Sequence, residues 1–142
     1  MNNVLIIEDE TNTAEAVKEA LEINNVHADV AENGEQGVSR FQEGNYDLIL
    51  LDLKMPKMDG EAVLQEIRKE DPFVDVIVYT NYQDFADIKK LTNIGIQGYI
   101  NKGPKANLEE LTNMILEKLA PIDEAELETM VKHTPTEMFE GK

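Results

Sequence analysis

The residues most able to do chemistry fall at four places, each just beyond a short apolar run. Asp52 follows Leu48-Ile49-Leu50-Leu51, Glu8, Asp9 and Glu10 follow Val4-Leu5-Ile6-Ile7, Thr80 ends the run from Val74, and Lys102 follows Ile96 to Asn101. Four unbroken apolar residues read as a strand buried on both faces, the pattern of a central strand in a parallel sheet. In such sheets ligands bind at the carboxyl ends of the strands. Those ends share one edge, so Glu8, Asp9, Asp52, Thr80 and Lys102 are expected to meet although they are distant in sequence. Clustered carboxylates repel, two charges 4 Å apart costing about 4 kcal/mol at an effective dielectric near 20, and a hard divalent cation relieves that repulsion. Mg2+ favours one or two carboxylates together with waters and phosphate oxygens, so the site invites a phosphoryl group. Asp52 would be the nucleophile, with the metal and Lys102 stabilising the charge that develops in transfer. The Thr80 hydroxyl could hydrogen-bond a phosphoryl oxygen.

Each residue alone has a plainer reading. Among 29 acidic residues, an acid near a strand end is common. Lys102 by default is a solvated lysine, Thr80 a hydroxyl capping the next helix, Tyr99 a half-buried strand aromatic and Asp59-Gly60 a turn or helix start. His27 and His133 have no partners at ligand spacing and are read as non-catalytic. Joint placement carries the argument: the candidates sit at the exits of strands one, three, four and five, and none sits inside a helix.

The elements that must position them alternate. Helical spacing of Ala14, Val17 and Leu21 marks a helix over 12–23, with Ala16, Ala20 and Ile23 beside that stripe, Asn12 and Glu15 as a capping box and Asn24-Asn25 as its stop. Val26, Ala28 and Val30 alternate with polar residues, as in a half-buried strand nearer an edge. Asn33-Gly34 opens a helix with Val38 and Phe41 inward, ended by Gly44. Val63, Leu64 and Ile67 mark a third helix before Asp71-Pro72, and Val74 to Tyr79 a fourth strand. Phe85, Ile88 and Leu91 mark a fourth helix stopped near Gly95, and Ile96 to Ile100 a fifth strand. Asn107 with Glu110 caps a fifth helix carrying Leu108, Leu111, Ile115 and Leu119, which Pro121 ends. Five strands alternating with five helices require a parallel sheet covered on both faces through right-handed crossovers.

At 142 residues the chain has room for one ordinary core. Thirteen basic against 29 acidic residues give a net charge of −16, which argues against direct nucleic-acid binding or an anionic membrane surface. Absence of cysteine excludes disulfides and thiolate metal sites. With no leader-like segment and no long apolar span, the expectation is a cytoplasmic protein. Residues 1–120 make up the domain. Residues 121–142 form an acidic C-terminal tail, with Asp123 and Glu126 as an N-cap pattern and a short helix over 124–132 whose Leu127, Met130 and Val131 dock on the same domain or on a second copy.

Ile6-Ile7-Glu8-Asp9-Glu10, Asn33-Gly34, the stretch Leu51-Asp52-Leu53-Lys54-Met55-Pro56-Lys57-Met58-Asp59-Gly60, Thr80 and Gly98-Tyr99-Ile100-Asn101-Lys102 together resemble the receiver domain of two-component response regulators. The resemblance covers about residues 1 to 120. It implies a flavodoxin-like doubly wound sheet in the order 2-1-3-4-5, with Asp52 accepting a phosphoryl group from a sensor histidine kinase or phosphotransfer protein. It also implies that Glu8, Asp9, Asp52 and the backbone carbonyl of Lys54 hold Mg2+, that Lys102 pairs with the phosphoryl group, and that Thr80 and Tyr99 are a switch pair reshaping the surface of the fourth helix, fifth strand and fifth helix. Output would pass to a downstream protein target or to a self-dimer. The chain departs from the family pattern at Glu8, where an aspartate is usual, at Asn81, where a small residue is usual, and at Gly103, which puts Pro104 one place late. Two rival readings are a Mg2+-dependent phosphohydrolase using Asp52, and a receiver-like interaction module that no longer uses phosphate. The first would need an aspartate where Lys54 stands, and a substrate cap for which no sequence remains.

Overall fold

The two all-apolar runs are too hydrophobic on both faces for an edge position, and they occupy the middle of the sheet. The computed structural model describes residues 2–53, 55, 58–80, 85–101 and 108–120, with the backbone alone for 80 and 85–87. The elements run β1 (Asn3–Ile7), α1 (Thr11–Ile23), β2 (His27–Ala31), α2 (Gly34–Glu43), β3 (Leu48–Leu51), α3 (Gly60–Glu70), β4 (Asp75–Thr80), α4 (Phe85–Ile94), β5 (Gly98–Asn101) and α5 (Leu108–Leu119). The sheet order is β2-β1-β3-β4-β5 and every pairing is parallel, the doubly wound arrangement implied by the resemblance.

Strand alternation divides the core in two. Val4, Ile6, Leu48, Leu50, Ile77 and Tyr79 pack under α1 and α5, against Val17, Leu21, Leu111 and Ile115. Leu5, Ile7, Ile49, Leu51, Val76 and Val78 face the other way, onto Val63, Leu64 and Ile67 of α3 and Leu91 of α4, with Val38 and Phe41 of α2 partly buried beside them. Because β1 and β3 are covered on both sides, truncating one of their side chains, such as Ile49 to alanine, would cost about 2 to 5 kcal/mol.

Three boundaries differ from the sequence reading. The cap of α1 is Glu10, not Asn12: its carboxylate accepts from the Asn12 and Thr13 amides, and the helix starts at Thr11. A glutamate reaches back to the first-turn N–H groups as an aspartate would, and it wins because the chain leaves β1 extended at Glu10. Ile23, placed beside the apolar stripe of α1, is 74% exposed, because at 3.6 residues per turn it falls on the face opposite buried Ala14 and Leu21. β4 begins at Asp75 and β5 at Gly98, since apolar Val74 and Ile96 belong to the approaches that wrap the core. Asn33 caps α2 through Gln36 N, Gly44 is its C-cap, and Asp59 caps α3 through Ala62 N. The Asn107 cap and the tail lie outside the described residues.

Two polar links tie loops to this frame. Arg68 at the end of α3 donates to Gly95 O (2.9 and 3.1 Å), Val74 O (2.7 Å), Asp71 O (3.2 Å) and Gln97 Oε1 (3.0 Å), joining the end of α4 to the start of β4. Gly95 is left-handed at φ 124°, which lets the chain turn off α4 toward Arg68 without the steric penalty a side chain would bring. At the other edge, the Tyr46 hydroxyl donates to Asp29 Oδ2 at 2.7 Å, with His27 Nε2 3.2 Å from Asp29 Oδ1. Burial, then the bond to Asp29 and its charge, push the Tyr46 phenol up to about 12.

Candidate functional site

β1 and β3 are neighbours with Ile7 opposite Leu51, so the next residue on each, Glu8 and Asp52, emerges side by side. The ladder holds both in place one step past the strands: the Glu8 amide donates to Ala31 O and the Asp52 amide to Ile7 O, each at 3.0 Å. Glu8 is 4% exposed and Asp52 6%, while Asp9 stands on the open rim. One carboxylate oxygen from each of the three comes within 4.8 Å of the others. At that separation each ionised pair repels by about 3.5 kcal/mol at an effective dielectric near 20. Three hard oxygen donors converging on one point are the donor set that Mg2+ or Ca2+ takes.

The third acid of the run takes a different job. The Glu10 carboxylate accepts the Thr13 amide (2.7 Å), the Asn12 amide (3.3 Å) and the Thr13 hydroxyl, and so stabilises α1 rather than joining the cluster. The sequence reading put Glu8 and Asp9, not Glu10, in the site, but it gave the cap of α1 to Asn12 and left Glu10 without a role; the spacing from Glu10 to Thr13 was the signal for it.

The start of α3 lies against the backbone of Asp52 and Leu53. The Gly60 amide donates to Leu53 O at 2.9 Å, and a Cβ at Gly60 would stand 2.7 Å from Asp52 O and 2.6 Å from Leu53 Cα. Glycine is therefore needed for α3 to begin this close to the Asp52 backbone. Asp59-Gly60 is a helix start that shapes the rim of the site.

β4 runs two residues past the partner of Leu51, with Leu51 opposite Val78, and Thr80 pairs with Asn101. The Thr80 backbone thus reaches the same edge as Asp52, while its side chain is outside the described part. Tyr99 pairs with Val78 and packs, half-buried, on the α2–α4 side of the sheet, where burial pushes its phenol up. Lys54 and Lys102 lie outside the described residues; Lys102 directly follows Asn101, the last residue of β5. Behind the carboxylates Glu8, Asp52 and Tyr79 lie against Thr13, Ala14 and Val17 of α1, with no gap large enough for a water. Tyr79, 5% exposed, was read only as strand core.

Residues 4–116 match the family model of the response regulator receiver domain. The chain belongs to this family. Among solved structures, the receiver domain is similar to the response regulator TrrA of Thermotoga maritima in complex with Mg2+–BeF (34% identity, TM-score 0.73, 84% of this chain and 100% of that one). It is also similar to a CheY-like receiver domain protein of Methanospirillum hungatei (27% identity, TM-score 0.79, 84% and 94% covered). Curated relatives include the probable transcriptional regulator ycf27 of Cyanidium caldarium, 35% identical over 101 residues, covering 71% of this chain and 40% of the relative. A cyclic di-GMP phosphodiesterase of Thermotoga maritima is 36% identical over 108 residues, covering 76% and 28%. The receiver domain thus spans less than half the length of these two curated relatives. Its three-carboxylate cluster resembles the phosphoacceptor site of the family, that of a signalling phosphoacceptor rather than of a turnover enzyme. Receiver domains as a family partner with histidine kinases or phosphotransfer proteins. Among the described residues no helix is long and apolar enough to cross a membrane.

Proposed function

We propose that Asp52 accepts a phosphoryl group from a phosphohistidine of a sensor kinase or phosphotransfer protein in the cytoplasm, and that the modified domain presents an altered surface to a protein partner or to a second copy. The supporting observation is the convergence of the Glu8, Asp9 and Asp52 carboxylates within 4.8 Å at the carboxyl edge of the sheet. Asp52 is the nucleophile in this reading. It is the buried carboxylate on the central strand, and its own N–H bond to Ile7 O fixes its backbone. Its carboxylate oxygen forms the new bond to phosphorus, and the histidine nitrogen leaves with the electron pair of the old one. Glu8 and Asp9, with Asp52, would hold Mg2+, and the Lys54 carbonyl would add a fourth oxygen. Bound there, Mg2+ supplies charge neutralisation for the incoming phosphoryl oxygens. A metal–fluoride complex of TrrA, a similar protein, supports this assignment.

Lys102, one residue past β5, would pair with the phosphoryl group, and Thr80 would donate to one of its oxygens. Tyr99, on the opposite face from the α1–α5 core, would follow Thr80 as the second half of the switch. Residues 1–120 form the receiver unit and 121–142 a tail. Incubation with acetyl phosphate and Mg2+ tests the reading: the intact mass should rise by one phosphoryl group in the wild type and not in Asp52→Asn. Equal modification of both proteins would refute it.

A further inference from the structure

The Asn33-Gly34 motif opens α2 and takes no part in the carboxylate cluster, yet it presses on the connection that leads from β3 to α3. A Cβ at Gly34 would stand 2.5 Å from Met58 O, 2.8 Å from Met58 Cβ and 2.7 Å from Val63 Cγ2. The first of these atoms is backbone, so a side chain at Gly34 would have to displace either α2 or Met58. α2 is held. Asn33 Oδ1 accepts the Gln36 amide at 2.9 Å, and Gln36 Oε1 accepts the Glu32 amide at 2.6 Å. One turn further on, a Cβ at Gly37 would stand 2.6 Å from Ile7 Cδ1, so the helix already lies close on β1. Met58, half-buried in the connection, is therefore the part that gives way. That connection is closed beyond Met58: the Gly60 amide donates to Leu53 O at 2.9 Å, and Asp59 Oδ1 accepts the Ala62 amide at 2.9 Å. A displacement of Met58 is thus carried to the backbone next to Asp52.

We infer that Gly34 is a positioning residue of the phosphoacceptor site, acting through Met58. Carrying no side chain, it lets the first turn of α2 seat against Met58, and a seated Met58 steadies the turn that Gly60 closes onto Leu53. Asp52 and Lys54, whose carboxylate and carbonyl are the proposed Mg2+ donors on this side, flank Leu53 in sequence. The inference rests on the assignment of Asp52 as phosphoacceptor. Packing alone would make only stability depend on the glycine, whereas positioning makes metal affinity and transfer rate depend on it too. Gly44 supplies the contrast. It ends the same helix at its far end, where a Cβ would stand 2.6 Å from the Tyr46 ring and 3.1 Å from Arg40 O.

The test uses the full chain in five forms: wild type, Gly34→Ala, Gly44→Ala, Met58→Ala and Asp52→Asn. Stability is read by urea titration, the Mg2+ dissociation constant by NMR titration, and the saturating rate of acetyl phosphate modification by intact mass. Gly34→Ala and Gly44→Ala should both unfold at lower urea than the wild type. Only Gly34→Ala should bind Mg2+ about ten-fold more weakly, with a similar fall in the saturating rate, as when the support of a metal ligand is altered. Met58→Ala should shift Mg2+ affinity in the same direction by a smaller factor. In the wild type, the Gly34 amide signal should move on addition of Mg2+ while that of Gly44 stays in place. A folded Gly34→Ala protein with the Mg2+ affinity and rate of the wild type would overturn the inference, as would an equal loss of Mg2+ affinity in Gly44→Ala. Should Gly34→Ala fail to fold, unchanged Mg2+ affinity in Met58→Ala together with an unmoved Gly34 signal overturns it. Modification of Asp52→Asn would instead overturn the phosphoacceptor assignment.

Discussion

Replacing Asp52 with asparagine should make the metal-free protein more stable. Glu8, Asp9 and Asp52 hold carboxylate oxygens within 4.8 Å of one another, and each ionised pair at that distance repels by about 3.5 kcal/mol at an effective dielectric near 20. Asp9 is exposed, so solvent reduces its share to under about 1 kcal/mol. Glu8 and Asp52 are both buried, so solvent screens their mutual term less. Asparagine keeps the shape of aspartate and removes the charge, so the net gain should be about 1 to 3 kcal/mol, and Tm should rise by about 4 to 10 °C. The measurement is thermal unfolding of both proteins in EDTA, followed by thermal unfolding in excess Mg2+. With metal at about a hundred times its dissociation constant, the wild type gains about 2.7 kcal/mol by mass action. The variant, with one charged ligand fewer, gains less, so the difference should shrink or invert. If Asp52→Asn melts at or below the wild type in EDTA, the three carboxylates are not in electrostatic conflict, and the case for a cation site here fails.

Other outcomes follow from the frame around the site. Gly60→Ala places a Cβ 2.7 Å from Asp52 O, so urea titration should show a loss of about 1 to 3 kcal/mol, with slower modification by acetyl phosphate. Arg68→Met leaves Gly95 O and Val74 O without their donor and should cost about 2 to 4 kcal/mol by the same assay, whereas Lys69→Met, whose exposed pair with Glu66 is at the surface, should be within about 0.5 kcal/mol of wild type. Tyr46 is held up to about 12, above the usual 10 of an unfolded tyrosine. Its proton is therefore bound more tightly in the folded state, and the associated stability is fully present below pH 10 and lost as pH rises from 10 toward 12. Ultraviolet titration of tyrosinate should show late-titrating groups, Tyr99 being raised too, and Tyr46→Phe should remove the one near 12.

Much of the arrangement follows from local chemistry alone. Val4–Ile7 and Leu48–Leu51 are apolar at every position, a pattern that only a strand covered on both faces can satisfy, and the alternation of such strands with amphipathic helices leaves a parallel doubly wound sheet. Parallel strands put their carboxyl ends on one edge, so the meeting of Glu8, Asp9 and Asp52 could be inferred before any coordinates. The motifs around them pointed to the receiver family. The motif singled out Glu8 and Asp9 for the site, but the role of Glu10 was not legible, because only the geometry of the first turn of α1 claims it as the cap in place of Asn12. Asp59-Gly60 reads in isolation as a turn or a helix start. Only the approach of α3 to the Asp52 carbonyl makes glycine necessary there. Tyr79 looks like any strand aromatic, and its standing beside Asp52 depends on the pairing of Leu51 with Val78. Such register is set by how three separate strands pack between two layers of helices, and no single stretch of sequence carries it.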